Sequence, residues 1–224
     1  MANDRMNELL WRAVEAGALK DIIAAVGQGA DVNARDEGGE TALTRSTGAS
    51  HTPEVALACV QSLLKLGARV SEERPDGGLG TSVHRAAAHG HTQALKELFG
   101  ADGKTALELF DDMGRTPLIC AVQEGHLEEA SLILDAGANV DSHDEKTFSN
   151  TALATAVQER NVRIVELLLK HGADPTIQGW MQLSALDRAR DWNADDADPE
   201  LRRIFDLLNN AARLGKRQKW LHKE

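Results

Sequence analysis

The 224-residue sequence contains no tyrosine, and aromatic residues make up only 4 % of it. β-Sandwiches and barrels draw on aromatic and β-branched residues to fill their pleated faces, so this scarcity argues against an all-β fold. Cysteine is nearly absent as well. Cys59 and Cys120 stand far apart, too few for a disulfide framework or a thiolate metal site, and such usage suits a reducing compartment. No apolar run approaches the ~18 residues that a membrane span needs. The opening Met1-Ala2-Asn3-Asp4-Arg5 is polar, unlike a secretory leader. A soluble, cytoplasmic protein is expected.

Motifs of catalysis and ligand binding are also missing. There is no Gly-x-Ser-x-Gly elbow. Gly77-Gly78-Leu79-Gly80 lacks the Lys-Ser/Thr of a phosphate loop. Asp195-Asp196-Ala197-Asp198 lacks the glycine and terminal glutamate of a calcium loop and reads as a solvated acidic turn. Of the eight histidines, none has a cysteine or carboxylate at ligand spacing. The expectation is a protein with no catalytic residues, no metal and no cofactor. No segment outside the pattern described next is long enough to hold a catalytic domain.

Charge is plentiful but uneven. The formal net charge is −10, and residues 111–210 carry 19 acidic against 9 basic side chains, whereas residues 211–224 carry 1 against 5. A globally acidic chain repels phosphate backbones, so nucleic acid is not the expected partner. A protein with a basic surface is.

Alanine and leucine dominate the remainder, which favours helices, and they recur. Short openings begin at Glu8, Thr41, Thr81, Thr116, Thr151 and Ser184, with intervals of 33, 40, 35, 35 and 33 residues. Thr116-Pro117-Leu118 continues to Gly125-His126-Leu127 and closes on Leu132-Ile133-Leu134-Asp135-Ala136-Gly137-Ala138-Asn139-Val140-Asp141. Thr151-Ala152-Leu153 and Val165-Glu166-Leu167-Leu168-Leu169-Lys170-His171-Gly172-Ala173-Asp174 repeat it, as does Gly29-Ala30-Asp31-Val32-Asn33-Ala34. Threonine caps a helix and proline starts one without losing a needed hydrogen bond. Gly90, Gly125, Gly67, Gly137 and Gly172 fall where helices end in a left-handed residue. A pair of helices this short cannot bury a core alone, so stacking has to supply it.

The pattern resembles the ankyrin repeat, with a period near 33 residues. The resemblance covers roughly residues 7–210 and implies an all-α ankyrin-repeat solenoid of about six helix–turn–helix repeats with projecting hairpin loops. The expected repeats are about 7–34, 35–71, 72–109, 110–142, 143–177 and 178–212, in one domain over 1–213, followed by a basic tail, 214–224. The sequence departs from the pattern in places. Repeat 2 inserts about seven residues around Ser46–Pro53, the exit of repeat 3 (Gly100–Phe110) reads as partly helical, and repeat 5 has Arg160-Asn161 in place of Gly-His. Repeats 1 and 6 read as caps with more polar outer faces.

The resemblance further implies a non-enzymatic protein–protein interaction module, monomeric when free, whose concave face and hairpin tips bind a partner. Tip positions map to Arg35, Glu37 and Glu40; Phe110, Asp112, Met113 and Arg115; His143, Glu145 and Phe148; and Trp180 and Met181. First-helix positions on that face map to Glu15, Ala88, His89, Gln123, Glu124, Gln158, Glu159, Asp191 and Trp192. Phe110, Met113, Phe148, Trp180, Met181 and Trp192 with the acidic Asp112, Glu124, Glu145, Glu159 and Asp191 form the expected contact surface, since exposed apolar groups inside a charged rim are the usual anatomy of a hot spot. The competing expectation is that Phe110 and Phe148 tuck into irregular loops and Trp192 packs beneath the long loop of repeat 6. An inhibitor or immunity protein that occludes a toxin or enzyme is the sharper alternative, and an accessory to a neighbouring enzyme a weaker one.

Overall fold

The computed structural model describes the backbone of residues 2–73, 80–144, 149–193 and 198–221, and the side chains of these residues except 2, 3, 191–193 and 215–221. The described residues are helical, with no strand. Their β character is limited to two isolated antiparallel bridges, Arg35 with Thr41 and Gln178 with Ser184. The chain forms two compact units, Met1–Asp112 and Met113–Glu224.

Helices come in pairs. The first unit holds α1 (Ala2–Glu15) and α2 (Leu19–Gly27), α3 (Ala42–Ser46) and α4 (Pro53–Lys65), and α5 (Ser82–Ala88) and α6 (Thr92–Gly100). The second holds α7 (Pro117–Gln123) and α8 (Leu127–Asp135), α9 (Ala152–Gln158) and α10 (Val162–Lys170), and α11 (Ala185–Asn193) and α12 (Pro199–Leu221). Within each unit the first helix of a pair packs on the first helix of the next, and the second on the second, so two helical layers run side by side.

The caps explain where helices start. Thr41 Oγ1 accepts from the Thr44 amide at 3.1 Å, Thr116 Oγ1 from Ile119 at 3.3 Å and Thr151 Oγ1 from Ala154 at 3.1 Å. Ser184 and Asp187 cap reciprocally: the Asp187 carboxylate accepts from the Ser184 amide and hydroxyl, and Ser184 Oγ accepts from the Asp187 amide. At Thr81 the third helical residue is a histidine. His84 Nδ1 accepts from the Thr81 amide at 3.2 Å, and Nε2 lies 3.0 Å from the Leu109 carbonyl, so His84 is a buried strut. Two positions after each opening comes the core residue: Leu10, Leu43, Val83, Leu118, Leu153 and Leu186, all buried. Cys59 and Cys120 are buried free thiols, and burial pushes the Cys59 thiol above its ordinary value.

The irregular places resolve in three ways. The insertion in repeat 2 is taken up by a longer connection, Thr47–Thr52, and by a 13-residue α4 where α8 and α10 have 9. The exit of repeat 3 forms a 3-10 turn, Gly103–Ala106. Arg160, at the position of the expected glycine, adopts the glycine conformation with φ 55°. In the first repeat Leu9, Leu19 and Ile23 are 44 %, 37 % and 55 % exposed. Helix α12 runs on past residue 214 into the tail, its backbone helical to Leu221.

One buried acid ties repeats 2 and 3 together. Glu73 is 5 % exposed. Its Oε1 accepts from Thr41 Oγ1 at 3.1 Å and Thr44 Oγ1 at 2.7 Å, and its Oε2 from the Ser82 amide at 2.9 Å and Ser82 Oγ at 2.8 Å. Burial raises its pKa, outweighing the hydrogen bonds from Thr44, Ser82 and Thr41 that pull the other way. The fold therefore favours the protonated carboxyl. That stability is complete below the ordinary carboxylate pKa of ~4.3 and is lost as pH climbs through the raised native value. The melting-temperature difference between Glu73→Gln and the parent, followed by circular dichroism, should move in favour of the variant from pH 4 to pH 8. Glu73→Ala should cost at least about 2 kcal/mol by orphaning buried donors. Arg160→Gly should stabilise by about 1 kcal/mol in urea titrations, because glycine adopts this backbone without strain.

Candidate functional site

The last hairpin of the second unit begins at the Gln178–Ser184 bridge, with the Gly179 amide donating to the Leu183 carbonyl at 3.2 Å. Gly179 presses against the preceding hairpin: a Cβ there would lie 2.8 Å from the Ser149 carbonyl oxygen and 3.0 Å from Asn150 Cα. Only glycine permits that approach. The tip then turns through Met181 and Gln182 at φ 60° and 58°. This conformation costs an L-residue about 1–2 kcal/mol and leaves Trp180 and Met181 53 % and 64 % exposed.

Arg188, from α11, holds the tryptophan. Its Nη2 donates to Asn150 Oδ1 at 2.9 Å and to the Trp180 carbonyl at 3.3 Å, and its guanidinium carbon lies 6.0 Å from the Trp180 ring centre. Burial pulls its pKa below the usual arginine value, and arginine still stays charged. The backbone at Trp180 is thus anchored, and a cation lies near its indole.

Beside Trp180 lies a groove of about 270 Å³ lined by Met113, Arg115, Ile119, Gln123, Ser149, Asn150, Thr155, Gln158, Glu159 and Trp180. Met113 is 63 % exposed. Arg115 Nη1 donates to Gln123 Oε1 at 3.1 Å, and Asn150 Nδ2 reaches Gln158 Oε1 at 3.5 Å. Three expected residues from three different repeats, Met113, Glu159 and Trp180, therefore line one concavity. Met181 adjoins Trp180, and Glu124 is exposed next to Gln123. Phe110 and Asp112 belong to the first unit. Phe110 is half-buried there, as the loop-tucked alternative had it, and Asp112 is exposed. Glu145 and Phe148 lie outside the described residues, and so do the side chains of Asp191 and Trp192. Sequence reasoning missed Ile119, Thr155, Ser149, Asn150 and Arg188. Ile119 and Thr155 form the buried floor, which exposure-minded mapping passes over.

A larger, shallow trough of about 500 Å³ runs along the outer helices α8 and α10, lined by Leu127, Glu128, Ser131, Arg163, Glu166, Leu167 and Lys170. Glu166 there pairs with Arg203 of α12, and none of the expected contact residues borders it. In the first unit the corresponding inner helices carry ion pairs instead: Arg45 with Glu15 and Asp36, and Arg85 with Glu40. Of the histidines, His51 Nε2 lies 2.8 Å from the Val14 carbonyl, and His171 is exposed. Among the described residues no group of three or more His, Cys, Asp or Glu could hold a metal ion, and no helix is long and apolar enough to cross a membrane.

The family model described as ankyrin repeats (3 copies) matches residues 54–144 and, overlapping, 83–179. The chain belongs to the ankyrin-repeat family. Ankyrin repeats are protein-interaction scaffolds, and this one is similar to ankyrin repeat protein nuc-2 of Neurospora crassa, with 36 % identity over 104 residues (46 % of this chain, 10 % of that protein). It also resembles the B-cell lymphoma 3 protein homolog of Mus musculus, at 34 % over 111 residues (49 % and 25 %), and human inversin, at 39 % over 105 residues (46 % and 9 %). The chain thus spans a quarter or less of the length of these curated relatives. Among solved structures, an ankyrin repeat domain from Acinetobacter baumannii superposes with a TM-score of 0.72 at 27 % identity, covering 90 % of this chain and 96 % of that one. The human ASB11 ankyrin repeat domain gives 0.69 at 24 %, covering 88 % and 81 %.

The role of Arg188 in this ankyrin repeat is open to a direct check. In a background with Trp11, Trp192 and Trp220 changed to Phe, Arg188→Ala should lower the fluorescence anisotropy of Trp180 and increase its acrylamide quenching. The loss in stability should be about 1 kcal/mol, the worth of one hydrogen-bonded anchor.

Proposed function

We propose that this chain is a protein-binding module without catalytic activity of its own, and that its partner docks on the groove and hairpin tips of the second unit. One observation carries the proposal: the large exposed apolar residues Met113 and Trp180 line one groove together with Glu159, with exposed Met181 next to Trp180 and Glu124 next to Gln123 in sequence. Isolated exposed apolar residues are ordinary, but a rimmed cluster held rigid is the pattern of an interface anchor. A tip whose backbone Arg188 anchors at Trp180 loses less entropy on binding than a free loop, which favours affinity. Glu145, Phe148, Asp191 and Trp192 remain proposed as further contacts, and Phe110 and Asp112, which lie in the first unit, as contacts in their own right.

The partner surface should be basic. The 19 acidic side chains of residues 111–210 set up a field that steers a cationic protein and repels an anionic one.

The test is affinity capture with the full chain from the source cell, followed by titration calorimetry with the recovered partner. Met113→Ala with Trp180→Ala should weaken binding at least about tenfold, or 1.4 kcal/mol, with no change in helix content. Raising salt from 50 to 500 mM should weaken the parent complex further. Unaltered capture by the double variant would remove the groove as the docking site.

A further inference from the structure

We infer that the groove takes an extended, basic segment of the partner, seating one large apolar side chain between Met113, Ile119, Thr155 and Trp180. This rests on the groove being the binding site.

The groove exists because of a substitution in register. The residue four places after each opening is Arg12, Arg45, Arg85, Cys120, Thr155 and Arg188 in turn. In the first unit Arg45 and Arg85 extend to the acidic residues Asp36 and Glu40 of the hairpin between repeats 1 and 2. In the second, Arg188 extends to Asn150 of the hairpin before it. Thr155 has no such arm; its hydroxyl bonds back to the Thr151 carbonyl at 3.1 Å. Among the described residues none takes the arginine's place here, and Ile119 and Thr155 form the floor.

The lining decides the occupant. A second cation is disfavoured deep inside, because Arg115 stands on the wall at the register position that Glu40 holds in the first unit. Met113, Ile119 and Trp180 offer an apolar side chain its contacts. The oxygens of Gln123 and Gln158 already accept from Arg115 and Asn150. Their NH₂ groups are left to donate to carbonyls, which an extended backbone presents along its edge and a helix keeps for itself. Basic neighbours of the anchor then meet Glu159 on the wall, within the acidic field of residues 111–210.

The probes are fluorescein-labelled nonapeptides of Gly-Ser background with a central Lys-X-Lys, where X is Leu, Met, Phe, Gly or Asp, titrated by anisotropy against the full chain. Leu, Met or Phe should bind at least about tenfold tighter than Gly, and Asp more weakly than Gly. Thr155→Arg with Arg115→Glu rebuilds the Arg85–Glu40 pairing in this position and should keep helix content while abolishing that preference. Thr155→Leu fills the same space without charge and carries the same expectation should the double variant unfold. Equal binding for all X, or a preference that survives a folded, filled groove, overturns the inference. If the recovered protein partner is lost with Trp180→Ala but no peptide binds, the docking site stands and the extended-segment inference falls. If Trp180→Ala leaves the partner bound, both fall.

Discussion

A two-helix repeat is too small to close its own core, and everything else in this structure follows from that shortage. Leu43 or Leu153 is fully buried only because neighbouring helices of the same layer lie against it. Stacking then leaves polar backbone between repeats, and side chains reach across to satisfy it. Asn33 accepts from the Arg69 amide at 3.0 Å and donates to the Gly67 carbonyl at 3.2 Å. Asp102 accepts from the Val70 and Ser71 amides, both at 3.0 Å; burial pushes its pKa up, but these donors together bring it below the ordinary value. Asp141 does the same for the Asp174 amide at 3.0 Å in the second unit. Glu73 extends the principle to a fully enclosed carboxyl.

The same stacking constrains the inner face. A repeat cannot leave a long gap between its first helix and the hairpin beside it without exposing the seam, and an arginine four residues past the cap is one solution. Arg45 and Arg85 adopt it against carboxylates, with Arg45 also 6.0 Å from the ring of Trp11, and Arg188 adopts it against an amide and an indole. Using Thr155 and Cys120 there forgoes that cover. The first unit's inner face is therefore occupied by its own ion pairs, whereas the second unit keeps a concavity with an apolar floor.

Much of this was legible in the sequence, because the signals are local. Threonine caps, glycine terminators and the leucine two places past each cap act within a few residues, so the repeat count, the all-α class and the exposure of Met113, Trp180 and Met181 could be read directly. The groove floor could not. Thr155 is unremarkable as a residue, and what the lack of an arginine there opens depends on Met113, Ile119 and Trp180 converging from two other repeats. Glu73 was invisible for a related reason: a glutamate before a Pro- and Gly-rich stretch reads as solvated, and its burial depends on Thr41, Thr44 and Ser82 converging from two other segments. Phe110 falls between its two expectations: a tip position suggested exposure and an irregular loop suggested tucking, and it is half-buried.

Strain and exposure coincide at the last hairpin. Met181 and Gln182 hold left-handed conformations that asparagine or glycine would adopt more cheaply, and the turn sets both Trp180 and Met181 outward. A surface selected for stability alone would favour the opposite, a relaxed turn with its apolar residues folded under. Compensation comes from Arg188, which ties the Trp180 carbonyl to Asn150 of the neighbouring hairpin, and from Gly179, whose missing side chain lets the two hairpins touch. A strained tip held from two sides, with a tryptophan and a methionine set outward, is the feature on which the proposed docking surface rests.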